Sequence, residues 1–139
     1  LSVHLQALGA MGVRRREDTA ADYVLEAPGG LVPASVYLEE ASVTGTETAL
    51  LAAAAAPGES EIRHAACEPH VVELCEFLTQ MGAKVEGAGT PTIRVFGGGA
   101  LGGAAHRLSG DYIEAGSWAV VAAVTGGELE VCGARGSDL

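Results

Sequence analysis

Residues 36–63, VYLEEASVTGTETALLAAAAAPGESEIR, contain a strand pattern, a helix pattern and a second strand pattern in succession. Val36 to Glu39 alternates between apolar and polar residues, which is typical of a strand. A helix is predicted over Thr44 to Ala56, and it is apolar around most of its circumference. A helix of this kind should be buried on all sides. Pro57 ends it, and Glu59 to Ala65 alternates as the next strand.

The residues on either side extend this pattern into a mixed α/β arrangement. Pro69 suits the first turn of a helix that is predicted to run to Met81. A hairpin is predicted to join residues 84–86 to residues 92–96, so residues 36–97 have the order β-α-β-α-β-β. The preceding patterns predict the end of a helix over residues 2–11 and short strands over residues 13–16 and 23–27.

The same order begins again in the last part of the chain. His106-Arg107-Leu108 predicts a strand, Asp111 a helix N-cap, residues 112–125 an apolar helix, and residues 128–132 a strand. Two such apolar helices at equivalent positions predict an α/β fold with helices inside and sheets outside. The repeat has a period of about 70 residues and is clearest where Gly58-Glu59-Ser60-Glu61-Ile62 returns as Gly127-Glu128-Leu129-Glu130-Val131.

Composition excludes several classes of function. The 139 residues have a net charge of -10, from eight Lys+Arg against eighteen Asp+Glu, which argues against nucleic acid and anionic membranes as partners. The longest apolar run, Ala49 to Ala56, is far shorter than the ~20 residues of a membrane span. Three cysteines without a Cys-x-x-Cys pair are typical of reduced thiols in a cytoplasm. Leu1 in place of an initiator methionine indicates a fragment of a longer protein.

The strongest local candidate for a binding site is Ser42-Val43-Thr44-Gly45-Thr46-Glu47. A helix N-terminus has unpaired N–H groups and a partial positive charge, Gly45 lets a ligand approach the backbone, and three hydroxyls can donate to phosphate oxygens. The alternative is simple capping, in which Ser42 or Thr44 is the N-cap and Glu47 completes a capping box. The two interpretations are compatible, since a capped helix terminus can still receive a ligand.

Two other patterns point only weakly to chemistry. Gly97-x-Gly99-x-x-Gly102 has the form of a dinucleotide fingerprint, but a strand pattern follows it where that motif needs a helix. Here it predicts a flexible connection. His64, Cys67, Glu68 and His70 include metal-ligand residue types, but their spacing fits no standard site. No metal is therefore expected, and Cys67 is interpreted as a structural thiol at a loop–helix junction.

Several segments together resemble a known family. They are Ser42-Val43-Thr44-Gly45-Thr46-Glu47, Ala65-Ala66-Cys67-Glu68-Pro69 leading to Phe77-Leu78-x-x-Met81-Gly82-Ala83-Lys84, Gly87-x-Gly89-Thr90-x-Thr92-Ile93, and Ile113-Glu114-Ala115-Gly116-Ser117. Over essentially the whole chain they resemble the UDP-N-acetylglucosamine 1-carboxyvinyltransferases, the enolpyruvyl transferases that open peptidoglycan synthesis. The resemblance implies an inside-out α/β barrel of two lobes. Residues 1–107 would be the later part of one lobe and residues 108–139 the start of the other, in the middle of the enzyme.

The resemblance also implies a reaction and its site. The family transfers the enolpyruvyl group of phosphoenolpyruvate to the 3-hydroxyl of UDP-N-acetylglucosamine in the cytoplasm, through a tetrahedral ketal, without metal or organic cofactor. Asp111 and Glu114 would lie near the hinge between lobes. His4 matches a family histidine beside the substrate cleft. The other substrate-binding positions implied in this chain are Leu1, Ser2 and Val3 near the uridine, and Glu40, Ala41, Ser42, Val43, Thr44 and Gly45 near the diphosphate.

Departures from the family pattern leave alternatives open. Ser2 stands where Asp is common, and Cys67 and Tyr112 stand where Arg is common. A related transferase acting on shikimate 3-phosphate or another nucleotide, or a non-catalytic paralogue, is therefore also considered. The resemblance places the proton-donating loop before Leu1, so none of the three cysteines is expected to be catalytic. These 139 residues alone are predicted to be inactive.

Overall fold

The computed structural model describes residues 1–16 and 22–138, which fall into two compact units, 1–104 and 105–139. The division lies close to the boundary expected at residues 107 and 108. The assignment of the two parts to different lobes stays a prediction.

The first unit contains nine helices and strands within the described residues, and they follow the predicted order. Residues 36–97 form the predicted β-α-β-α-β-β arrangement, and the predicted N-terminal helix and two short strands are present. The elements are α1 Ser2–Ala10, β1 Arg14–Arg16, β2 Val24–Glu26, β3 Ser35–Tyr37, α2 Val43–Ala55, β4 Gly58–Arg63, α3 Pro69–Gln80, β5 Lys84–Glu86 and β6 Thr92–Gly97.

The main sheet of this unit has the strand order β3-β4-β6-β5. Strands β3 and β4 are parallel, which requires a crossover connection, and α2 provides it. Strand β6 is antiparallel to both β4 and β5. Strands β1 and β2 form a separate antiparallel pair. The sheet therefore has β3 and β5 at its two edges.

Helix α2 lies in the core of this unit. Alternate strand residues, among them Val36, Ile62 and Val95, are buried on the face of the sheet that forms the core. The predicted burial of α2 is confirmed for most of its circumference, but Leu51 is 54% exposed, and Thr44 and Ala55 are also exposed. The buried residues of the helix are Gly45, Thr46, Ala49, Leu50, Ala52, Ala53 and Ala54.

Gly97 marks the closest approach of β6 to α2. A Cβ at this position would lie 2.5 Å from the carbonyl oxygen of Ala56 and 2.7 Å from that of Ala54. The next amide, of Gly98, donates to the Ala54 carbonyl at 3.1 Å. No helix lies between Gly97 and Tyr112, so the glycine-rich stretch lacks the context of a dinucleotide site. Its first glycine is needed for close packing.

The second unit corrects two sequence-based predictions. The helix is present as α4, Tyr112–Thr125, but only Ala115 is buried, and Val124 is 77% exposed. The strands predicted at residues 106–108 and 128–132 do not form. Both errors have one cause, since the described residues of this unit contain no sheet that could pair a strand or cover the helix. No helix within residues 1–16 and 22–138 has the length and hydropathy that crossing a bilayer requires.

We expect Gly97→Ala to lower the free energy of unfolding by at least about 3 kcal/mol, because the added methyl group meets backbone carbonyls that cannot move independently. Urea unfolding followed by circular dichroism measures the change. Gly99→Ala is the matched control, since nothing lies within 4 Å of a Cβ at that position. Equal unfolding midpoints for the two variants would contradict the close approach of β6 to α2.

Candidate functional site

The first turns of α1 and α2 pack side by side. A Cβ on Gly45 would lie only 2.6 Å from Cγ1 of Val3, so the Val3 side chain occupies the space that a larger residue would need. Both residues are buried. The structure therefore brings the predicted segment 1–4 against the predicted segment 42–45. Gly45, predicted to let a ligand approach, instead admits a neighbouring helix.

Ser42 caps α2, as predicted. Its Oγ accepts a hydrogen bond from the Gly45 amide at 3.2 Å, and its carbonyl accepts from the Thr46 amide at 2.9 Å. Because Ser42 is the N-cap, the third helical position is Gly45, and Glu47 lies too far along the helix to complete the predicted capping box. Helix α1 starts after Leu1 without a side-chain cap. The N-terminus of α2, with its partial positive charge, thus lies beside residues 1–4.

His4 links the two helices on their solvent side. Its Nδ1 lies 2.8 Å from Oγ1 of Thr48, and its Nε2 lies 3.3 Å from Oγ1 of Thr44. The Thr48 hydroxyl donates to the Thr44 carbonyl at 2.9 Å, so it accepts from His4. Nδ1 of His4 therefore donates to the Thr48 hydroxyl, and the contact of Nε2 with Thr44 completes the link between the helices. His4 is held in place at the predicted site.

Thr46 has a structural role that the sequence did not reveal. It is fully buried, and its hydroxyl donates to the Ser42 carbonyl at 2.8 Å while accepting from the Ala66 amide at 3.0 Å. The expectation that three hydroxyls face a phosphate is therefore wrong for Thr46. Ser42 and Thr44 remain nearer the surface. The Thr46 hydroxyl ties the loop after β4 to the start of α2.

The remaining predicted contacts of this site lie in the loop before α2 and at the start of α1, where Leu1 is exposed. Glu40 and Ala41 are exposed, and Ser2 is exposed at the start of α1. The segments 1–4 and 40–48 contain no Lys or Arg, whereas Glu40 and Glu47 add negative charge. An anionic ligand held here would depend on backbone dipoles and on cations from other segments.

The residues considered for metal binding form no such site. His64 Nδ1 bonds the Leu38 carbonyl at 2.8 Å, and the Cys67 thiol lies 3.6 Å from the Ala65 carbonyl. Within the described residues, no group of three His, Cys, Asp or Glu side chains could hold a metal ion. Burial, with a smaller effect from Glu76, raises the pKa of the Cys75 thiol to about 11. That thiol is therefore protonated and poorly reactive at neutral pH.

The second unit has its own groove beside α4. Asp111 caps the helix, since its Oδ1 accepts from the amides of Ile113 at 2.8 Å and Glu114 at 3.2 Å. Glu114 accepts a hydrogen bond from Nε1 of Trp118 at 3.4 Å. These side chains line a groove of about 380 Å³. The structure thus confirms the capping function of Asp111, and a hinge function for Asp111 and Glu114 stays a prediction.

Comparison with known proteins places the chain among carboxyvinyl transferases. Residues 1–138 match the sequence profile of EPSP synthase (3-phosphoshikimate 1-carboxyvinyltransferase). The UDP-N-acetylglucosamine 1-carboxyvinyltransferase of Caulobacter vibrioides is 48% identical over 136 residues, which is 97% of this chain and 31% of that protein. The enzyme of the same name from Solibacter usitatus is 46% identical over 131 residues, 94% of this chain and 31% of that protein.

Solved structures confirm the α/β fold expected from the resemblance. The enolpyruvyl transferase NikO from Streptomyces tendae superposes with a TM-score of 0.72 at 25% identity, over 84% of this chain and 30% of that one. An EPSP synthase from Acinetobacter baumannii gives a TM-score of 0.66 at 24% identity, over 88% of this chain and 28% of that one. The chain spans about a third of the length of the proteins it matches.

We expect Thr46→Val to destabilise the protein by about 1–3 kcal/mol, because it leaves the buried Ala66 amide without an acceptor. Thr46→Ser keeps the hydroxyl and is expected to lose less than half as much. Thermal unfolding of both variants makes the comparison. Equal melting temperatures would show that the hydroxyl contributes nothing beyond the volume of the side chain.

Proposed function

This chain belongs to the EPSP synthase family, and we propose that it forms part of an enzyme that transfers enolpyruvyl from phosphoenolpyruvate to the 3-hydroxyl of UDP-N-acetylglucosamine. The support is the identity of 46% and 48% to proteins named for that reaction, over nearly the whole chain. Phosphate is the second product. We place the reaction in the cytoplasm, as the first committed step of peptidoglycan synthesis.

The choice of acceptor rests on how the sequence identity to this chain differs between the two groups of relatives. The proteins named for UDP-N-acetylglucosamine are 46% and 48% identical to this chain, whereas the EPSP synthase structure is 24% identical. Shikimate 3-phosphate is therefore the weaker candidate. A non-catalytic paralogue remains the alternative from a different class of function, since Ser2, Cys67 and Tyr112 depart from the family pattern.

In this proposal the first turn of α2, together with residues 1–4 beside it, holds the nucleotide sugar. The amides at a helix start point toward an anion, and the aligned peptide dipoles favour negative charge there. Residues 1–4 and 40–45 are exposed or partly exposed apart from Val3 and Gly45, which pack the two turns together. This arrangement suits a rigid cradle for a diphosphate. His4 supports the cradle through the hydroxyls of Thr44 and Thr48.

In our proposal the described part of this chain binds and orients the nucleotide sugar, and other parts of the full-length enzyme carry out proton transfer. No described residue of the proposed site offers an activated nucleophile, and Cys75 is a buried thiol with a raised pKa. Cations that offset the diphosphate and phosphoenolpyruvate are assigned to the remaining two-thirds of the enzyme. The net charge of -10 on these 139 residues requires such a contribution.

We expect the full-length protein to bind UDP-N-acetylglucosamine in calorimetry and to bind shikimate 3-phosphate at least about a hundredfold more weakly. The nucleotide and amide groups of the sugar acceptor supply contacts that shikimate 3-phosphate lacks. Release of phosphate from phosphoenolpyruvate is expected with the full-length protein and absent with residues 1–139 alone. Tighter binding of shikimate 3-phosphate would overturn the choice of acceptor, and binding without turnover by the full-length protein would favour the paralogue.

We expect Thr44→Glu in the full-length protein to weaken UDP-N-acetylglucosamine binding about tenfold relative to Thr44→Gln. The two side chains have the same size and differ in charge, so the comparison isolates repulsion of the diphosphate. A negative charge in the first turn stabilises the helix itself, so the melting temperature of Thr44→Glu should equal or exceed that of Thr44→Gln. Equal affinities of the two variants for UDP-N-acetylglucosamine would show that the diphosphate does not bind at the first turn of α2.

A further inference from the structure

Gln6 of α1 closes the free edge of strand β3. Its Nε2 donates to the Tyr37 carbonyl at 2.9 Å, and its Oε1 accepts from the Glu39 amide at 3.1 Å. Strand β3 is an edge strand, and the Leu38 amide faces its neighbour β4, donating to the Arg63 carbonyl. The backbone carbonyl of Tyr37 and the backbone amide of Glu39 point away from β4, toward the free edge. One side-chain amide therefore supplies the donor and acceptor that a further strand would supply.

His64 holds the same short stretch through another group. Its Nδ1 donates to the Leu38 carbonyl at 2.8 Å, and its ring stacks on Tyr37 with centroids 5.3 Å apart and planes at 20°. The φ of His64 is 58°, in the left-handed region that non-glycine residues seldom adopt. The backbone strain at His64 is thus associated with a fixed position of its ring.

Together these contacts satisfy four consecutive backbone groups, from the Tyr37 carbonyl to the Glu39 amide. The Arg63 carbonyl of β4 is the partner of one of these groups. The side chains of Gln6 and His64 bind the other three, across 31 and 33 residues for Gln6 and 26 residues for His64. The chain continues directly into the first turn of α2. There the Ser42 amide donates to the Glu40 carbonyl at 2.7 Å before Ser42 caps the helix.

We propose that Gln6, acting with His64, is a positioning residue for the nucleotide-sugar site. The two side chains fix the backbone of residues 37–39 and so set the place of the segment 40–45, which we assigned to the diphosphate. This inference rests on the proposed function. Neither side chain is assigned to the chemistry, so their loss should affect acceptor binding and leave the transfer step unchanged.

Steady-state kinetics of the full-length protein test the proposal. For Gln6→Leu, which keeps the size and removes both hydrogen bonds, we expect KM for UDP-N-acetylglucosamine to rise about tenfold. The kcat should stay within about twofold and KM for phosphoenolpyruvate should not change. Gln80→Leu makes the same chemical change at the end of α3 and should alter none of these values. Gln6→Glu keeps the acceptor for the Glu39 amide and should give an intermediate KM.

The His64 variants provide a rescue within the same design. His64→Ala removes the donor to the Leu38 carbonyl and is expected to raise KM for UDP-N-acetylglucosamine in the same direction as Gln6→Leu. Asparagine tolerates the left-handed conformation better than other residues and has an amide donor. His64→Asn should therefore recover most of the wild-type KM. Equal KM values for the alanine and asparagine variants would remove His64 from the proposal.

Hydrogen exchange separates this inference from the proposed function. Peptides covering residues 39–45 should take up deuterium faster in Gln6→Leu than in the wild type or in Gln80→Leu. An unchanged KM in Gln6→Leu, even with a lower melting temperature, would reduce Gln6 to a stabilising role and overturn the proposal. If the wild type fails to bind UDP-N-acetylglucosamine, the proposed function is refuted. Hydrogen exchange is then the remaining test of whether Gln6 positions residues 39–45. Unchanged deuterium uptake in Gln6→Leu overturns this role, and faster uptake supports it.

Discussion

The close packing of helix α2 against α1, α3, β4 and β6 is the constraint on which the first unit depends. Its buried side chains are mostly alanine, so neighbouring backbones can approach closely from several directions at once. Glycine completes the contact at both ends of the helix, with Gly45 facing Val3 of α1 and Gly97 of β6 facing the carbonyls of the last turn. Close packing requires both the small residues of α2 and the glycine opposite them, because a larger side chain at either place would force α2 away from its neighbours.

This packing holds in place the residues of the proposed site. The first turn of α2 is held in place, since Val3 occupies the space beside Gly45 and Thr46 is hydrogen-bonded to both Ser42 and Ala66. The strand that leads into it is held by Gln6 and His64. Anion recognition by backbone amides depends on such rigidity, because the dipoles must already be aimed before the ligand arrives. The segments 1–4 and 40–48 of the proposed site contain no Lys or Arg, so anion binding there would depend strongly on this rigidity.

How much could be predicted from the sequence depends on whether the signal was local. Ser42 as a cap and Pro69 at a first turn act within a few residues, so α2 and α3 were predicted with ends close to those observed. The strands expected at residues 106–108 and 128–132 were inferred from the repeat, and they fail because a strand needs a partner. Within the site, the roles of Thr46, Gln6 and His64 arise from contacts across at least 20 residues.

Helix α4 has a consequence for handling the protein. It leaves Ile113, Val120 and Val124 exposed, and Leu129 and Val131 after the helix are exposed as well. Surfaces of this kind drive self-association during synthesis and refolding. Residues 105–139 produced by themselves are thus a poor candidate for a soluble, crystallisable domain, and a chaperone that shields apolar helices would recognise them readily.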